Sequence, residues 1–165
     1  MDKLNIDYKK IEKIANDVLA LMYASKPPIN SDDAASENGL SVYRVDMPPQ
    51  FEEVAGYLDI DNKEIVVNAG DPPWKRNYTV AHELGHYLLH KENIKSNLGI
   101  YKVLFRMDNR NEKNKFEIEA DTFARYLLFP KYLRNSYKGY QPNLLSKIFL
   151  IPEKLVWKTV GRNGS

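Results

Sequence analysis

All three histidines of the chain fall within nine residues, in the run Ala81-His82-Glu83-Leu84-Gly85-His86-Tyr87-Leu88-Leu89-His90. His82 and His86 stand four apart with Glu83 directly after the first, which is the H-E-x-x-H pattern. On a helix, positions four apart share a face, so both imidazoles can reach one metal ion. Glu83 lies about a quarter turn round from His82, close to that ion without having to bind it. A chance pair of histidines on an amphipathic helix is the competing explanation, and the context argues against it. Tyr78-Thr79-Val80-Ala81 leads in as a helix would, and Asp71-Pro72-Pro73-Trp74 supplies a start, since proline is tolerated in the first turn. Ala81, Leu84 and Leu88 form an apolar stripe beside the histidine face, and Gly85 lets another element pack close.

With 165 residues the chain is long enough for one domain with a proper core. Its net charge of +2 makes no bulk demand for nucleic acid or a membrane surface. It has no cysteine, which removes both a disulfide framework and thiolate ligation. Ligands must then come from His, Asp and Glu, a set that suits zinc in an open catalytic site better than in a closed structural one. The first residues, Met1-Asp2-Lys3-Leu4-Asn5-Ile6-Asp7, lack the apolar run of a signal peptide, and no stretch is long enough to span a bilayer. The cytoplasm is the expected compartment.

A catalytic zinc normally takes three protein ligands and keeps a fourth position open. His90 is the nearest candidate for the third, but it lies eight residues from His82, roughly 12 Å along a helix axis. It reads instead as a polar residue near the helix C-terminus. A second helix, from Phe116 to about Pro130, offers carboxylates: Phe116, Ala120, Phe123, Ala124 and Leu127 make its core face, with Glu117 at the shoulder. Asp121 is one turn on and on the same side, placed to support a ligating histidine. Glu119 points off the other shoulder, where solvation is the usual fate of a glutamate. Glu117 is favoured over Glu119.

The elements that must carry these groups can be read in order. Apolar residues at helical spacing from Tyr8 to Ser25 predict an amphipathic helix ended by Pro27-Pro28. A short helix through Asp32–Ser36 should stop at Asn38-Gly39. Leu40–Val45 alternates like a half-buried strand, and Val54–Ile60 with Glu64–Asn68 predicts an antiparallel hairpin. The class is therefore α+β, with a small, mostly antiparallel three-stranded sheet. Between Lys91 and Lys115, Ile100–Phe105 reads as a strand or as part of a long loop, either a lid over the site or a solvated insertion. Leu144–Lys158 predicts two short helices with Pro152 opening the second. They either close the core with Trp157 buried, or present a docking surface or a weak DNA contact through Lys154, Lys158 and Arg162.

His82-Glu83-Leu84-Gly85-His86 with Leu89-His90, followed by Glu117–Ala124 and Leu127-Leu128-Phe129-Pro130, resembles the ImmA/IrrE family of bacterial metallopeptidases. Gly56-Tyr57 and Ile65-Val66-Val67-Asn68 look like that family too; Phe129 stands where it often has methionine. The resemblance covers about Tyr8 to Leu128 and, more weakly, the tail. It implies a compact minimal zincin over 1–130, with a helical segment over 131–165 packed on or appended to it. It implies zinc held by His82, His86 and Glu117, Glu83 as general base, and Asp121 as a supporting carboxylate. Members of this size typically cleave helix-turn-helix repressors encoded beside them, so the implied partner is a protein substrate of that kind. A module that docks a repressor or antitoxin without turnover is the alternative, and intact Glu83 argues against it. Near-neutral charge argues against a DNA-binding regulator.

Overall fold

Local sequence sets the first elements. The computed structural model describes residues 5–96 and 115–161; Ile100–Phe105, read as a strand or part of a long loop, and Arg162 lie outside them. Helix α1 spans Tyr8–Leu21. Asp7 caps it by accepting a hydrogen bond from the Lys10 amide at 3.0 Å. Its apolar spacing buries Ile11, Ala15, Val18 and Leu19. The helix stops short of the expected Ser25, and Tyr23 takes a left-handed φ of 51°. Helix α2, Ser31–Glu37, is capped by Asn30 and carries Asp32 and Asp33 in its first turn, where the helix dipole favours them. Gly39, at φ 79°, ends that turn where the sequence predicts a stop.

Strands β1 (Ser41–Val45), β2 (Gly56–Asp59) and β3 (Glu64–Asn68) form one sheet in the order β1-β3-β2. β2 and β3 pair antiparallel, as a short hairpin connection requires. β1, however, pairs with β3 in parallel, with Val42 opposite Ile65, so the sheet is mixed. The reason is spatial order. β1 sits beside the second strand of the hairpin, not the first, and so its neighbour is the strand that runs in its own direction. β3 is thereby central, with Ile65, Val66, Val67 and Asn68 all buried.

Helix α3, Pro73–Ser96, follows directly, and α4, Lys115–Leu128, packs against it. Ala120, Phe123, Ala124 and Leu127 of α4 are buried, while Phe116 at its start is half-buried. Three shorter helices follow: α5 (Lys131–Arg134), α6 (Pro142–Phe149) and α7 (Glu153–Val160). Leu145, Phe149, Ile151, Leu155 and Val156 join the same apolar cluster as Val80 and Leu84 of α3. Buried Asn77 ties three regions together. Its amide donates to the carbonyls of Ile29 at 3.1 Å and Leu150 at 3.2 Å, and its oxygen accepts from the Ser31 amide at 3.0 Å. Trp157 departs from expectation. It is 55% exposed, its indole N–H donating to Glu153 one turn earlier, because Leu155 and Val156 take the inward positions of α7. No helix among the described residues is long and apolar enough to cross a membrane.

Gly56 holds two of these layers at their observed spacing. A Cβ on Gly56 would lie 2.6 Å from the Val66 carbonyl oxygen and 2.7 Å from Thr79 Cγ2, so β2 sits against both β3 and α3 with no room for a methyl. Gly56→Ala should cost ~1–3 kcal/mol through overpacking. Its thermal midpoint should fall by ~2–10 °C, read by calorimetry. An unchanged midpoint would mean that the β2–α3 contact yields freely.

Candidate metal centre

Tyr78, His82, His86 and His90 recur every fourth residue on α3, so they form one stripe along its axis. α4 faces that stripe with Glu117 and Asp121, themselves one turn apart. Contacts run in opposite senses along the two helices: Tyr78 and His82 meet Asp121, His86 meets Glu117, and the His90 ring meets the ring of Phe116. The helices therefore pass antiparallel, and each turn of α3 finds a partner on α4.

The three expected ligand residues converge. His82 Nε2 lies 3.0 Å from His86 Nε2 and 3.2 Å from Glu117 Oε2, and His86 Nε2 lies 3.1 Å from Glu117 Oε1. Ligand atoms of all three residues fall within 4.8 Å of one another, so the group could hold a metal ion. Donors about 2.0–2.1 Å from a tetrahedral metal stand about 3.3 Å apart. The observed spacing fits that requirement, as does a donor set of two imidazoles and a carboxylate.

Charge is distributed unevenly over the group. Burial works against a charged His82, but the hydrogen bonds it donates to Asp121 and Glu117 and the charge of Glu83 outweigh it, lifting its pKa to about 10. Burial dominates at His86 and pushes its pKa down to about 4, against the pull of Glu117. Desolvation would raise Glu117, yet its bonds to His82 and His86 hold it well below the usual carboxylate range. The surroundings thus favour a proton on His82 and oppose one on His86.

Asp121 stands behind His82. Its Oδ1 faces His82 Nδ1 at 3.0 Å and accepts from the Tyr78 hydroxyl at 2.6 Å. Burial first, then the Asp121 charge, pushes the Tyr78 hydroxyl up, so it stays a donor. Glu83 is buried and, with His82, Glu117, Asp121 and Tyr78, lines a cleft of about 1000 Å³. Pro49–Tyr57 supplies much of the other wall.

Sequence reasoning missed three participants. Tyr78 falls in the same i, i+4 series as the histidines, and that spacing was its signal. His90 is not a surface polar group but 2% exposed, its Nδ1 lying 3.1 Å from His86 Nδ1. Glu119 is not solvated: its Oε2 is 2.9 Å from His90 Nε2.

A family model described as "IrrE N-terminal-like domain", of a peptidase family, matches residues 37–134. The chain is 37% identical over 91 residues to "Uncharacterized immunity region protein 2" of Bacillus phage phi105, an alignment covering 53% of this chain and 52% of that protein. A solved "Mycobacterium tuberculosis transcriptional regulator" superposes with a TM-score of 0.63 at 16% identity, covering 89% of this chain and 54% of that one. The chain thus spans about half the length of each, and the second likeness is one of fold. The family match covers more than half the chain and contains the H-E-x-x-H run, Glu117 and Asp121 alike: the chain belongs to the IrrE N-terminal-like peptidase family.

Proposed function

We propose that the protein is a zinc-dependent endopeptidase that cleaves a regulatory protein, a helix-turn-helix transcriptional repressor, and so relieves repression. The observation that carries this reading is the buried carboxylate of Glu83 on the cleft wall beside the converged His82, His86 and Glu117. A site meant only to hold a structural ion has no chemical need of it. In this reading His82, His86 and Glu117 hold the zinc, and Asp121 keeps His82 Nε2 turned toward it. When bound, zinc supplies Lewis acidity, acidifying water and polarising a carbonyl. Glu83 takes the proton as water attacks the peptide carbonyl, then delivers it to the departing amine. Residues 1–130 and 131–165 act as one unit, a reading supported by the Asn77–Leu150 bond and the shared apolar cluster.

The cleft suits an extended chain. β2 is an edge strand of the sheet, and its Gly56 and Tyr57 line the cleft. A substrate strand pairing there would be read mainly through its backbone, so choice of substrate would depend on docking elsewhere. A repressor as substrate is consistent with the names of the two relatives, an immunity region protein and a transcriptional regulator. Such a substrate would place the activity in the cytoplasm.

Two measurements test this. Zinc-loaded protein is mixed with the product of a neighbouring repressor-like gene, beside Glu83→Gln, and both are examined by intact mass. A single new cleavage is expected, slowed about 100-fold or more by the substitution. A stable complex without cleavage, indifferent to Glu83→Gln, would sink the catalytic reading and favour a docking module for a repressor or antitoxin. In the second, Asp121→Ala should weaken zinc about 10–100-fold in chelator competition. Tyr78→Phe should cost less, since Asp121 keeps its bond to His82. Equal losses would mean that the tyrosine, not the carboxylate, sets the ring.

A further inference from the structure

We propose that His90 and Glu119 are positioning residues that turn His86 Nε2 toward the metal through a directed chain of two hydrogen bonds. The inference rests on the metal-site reading above, and its basis is atomic. His86 is fully buried, with Nε2 among the ligand atoms and Nδ1 facing His90 Nδ1 at 3.1 Å. A neutral imidazole carries one ring proton. If His86 Nε2 gives its lone pair to a cation, that proton sits on Nδ1 and is donated to His90 Nδ1. His90 must then carry its own proton on Nε2, and the acceptor for it is Glu119 Oε2 at 2.9 Å. Each tautomer is dictated by the next, and the carboxylate fixes the sense of the whole chain. Run backwards, the chain would need a protonated Glu119 and would leave an N–H on His86 Nε2, closing that ligand atom to a cation.

The ring that relays this is itself held. His90 is 2% exposed and packs edge-on against Phe116, with ring centroids 4.5 Å apart. Lys115 Nζ lies 3.7 Å from the second oxygen of Glu119. Histidines that ligate metals commonly donate their second nitrogen to a carboxylate. His82 does so directly through Asp121, whereas His86 does so through another imidazole.

Zinc affinity is measured by competition with a chromophoric chelator for the full chain and for His90→Leu, His90→Asn, Glu119→Gln and His86→Ala. Proton-coupled nitrogen NMR of the imidazoles in the zinc-loaded protein reads the tautomers directly. His90→Leu should weaken zinc about 10–100-fold. His90→Asn should recover most of that loss, because its side-chain oxygen can still accept from His86 Nδ1. Glu119→Gln removes the charge but keeps an oxygen that can accept from His90 Nε2, so it should leave the His90 proton on Nε2 and weaken zinc less than His90→Leu does. Unchanged affinity in both His90 variants, or a His90 proton on Nδ1 in the parent protein, overturns the proposal while leaving the metal site standing. If the parent protein binds no zinc, or His86→Ala binds it equally well, the site reading fails and this inference falls with it.

Discussion

At Gly85 the backbone of α3 comes so near α4 that a Cβ there would lie 3.2 Å from Ala120 Cα and 3.3 Å from its carbonyl oxygen. Most contacts of the candidate centre follow from that approach. Glu117 and Asp121 project from α4 on either side of Ala120, and their short reach suffices because nothing larger than a hydrogen separates the helices. Ala81 and Ala124, both buried, keep the neighbouring turns narrow as well. A wider crossing would leave the carboxylates short of the imidazoles and open the cavity between them to water. The same contact buries Phe123 and Leu84, so the apolar packing that stabilises the fold also sets the ligand distances.

Four carboxylates, Glu83, Glu117, Glu119 and Asp121, stand against three imidazoles in this space. Buried charge of one sign is costly unless something answers it. One answer is a proton on His82, which Asp121, Glu117 and Glu83 favour in spite of burial. A dication among the same donors would answer it more fully, displacing that proton as it bound. A bound proton and a bound dication are thus two alternative answers to the same cluster of carboxylates.

The reach of the sequence is instructive residue by residue. Four-residue spacing predicted the shared face of His82 and His86, and the amphipathic pattern of α4 put Glu117 and Asp121 on the side that meets it. The hairpin was legible because its turn is local. The place of β1 was not, since whether it lies beside β2 or β3 depends on tertiary packing that leaves no mark on its own residues. His90 was misjudged for a more specific reason: the distance test asked whether it could share an ion with His82, and it cannot. That test does not ask whether it can touch His86, one turn away, which the same helical arithmetic allows. Glu119 followed suit, because a glutamate on a helix shoulder reads as solvated until its buried partner is known. Trp157 failed in the opposite direction, since α7 is short enough for Leu155 and Val156 to cover its inward face.

The two imidazoles facing Glu117 are supported differently, and burial explains the difference. His82 stands at the cleft wall, where Asp121 can oppose it directly while its side chain remains 24% exposed and the Tyr78 hydroxyl takes part of its charge. His86 has no exposed side-chain surface. A carboxylate set directly against its Nδ1 would be stripped of water on every side, at a cost of several kcal/mol before any attraction is counted. A neutral imidazole in that position carries no such cost, yet it transmits the same demand on the His86 proton. Interposing His90 sets the carboxylate one ring away, at Glu119, whose side chain is 13% exposed and whose second oxygen lies 3.7 Å from the Lys115 ammonium. A fully buried imidazole is thus linked to a carboxylate that a lysine ammonium answers, and the one further histidine of the chain stands between the two.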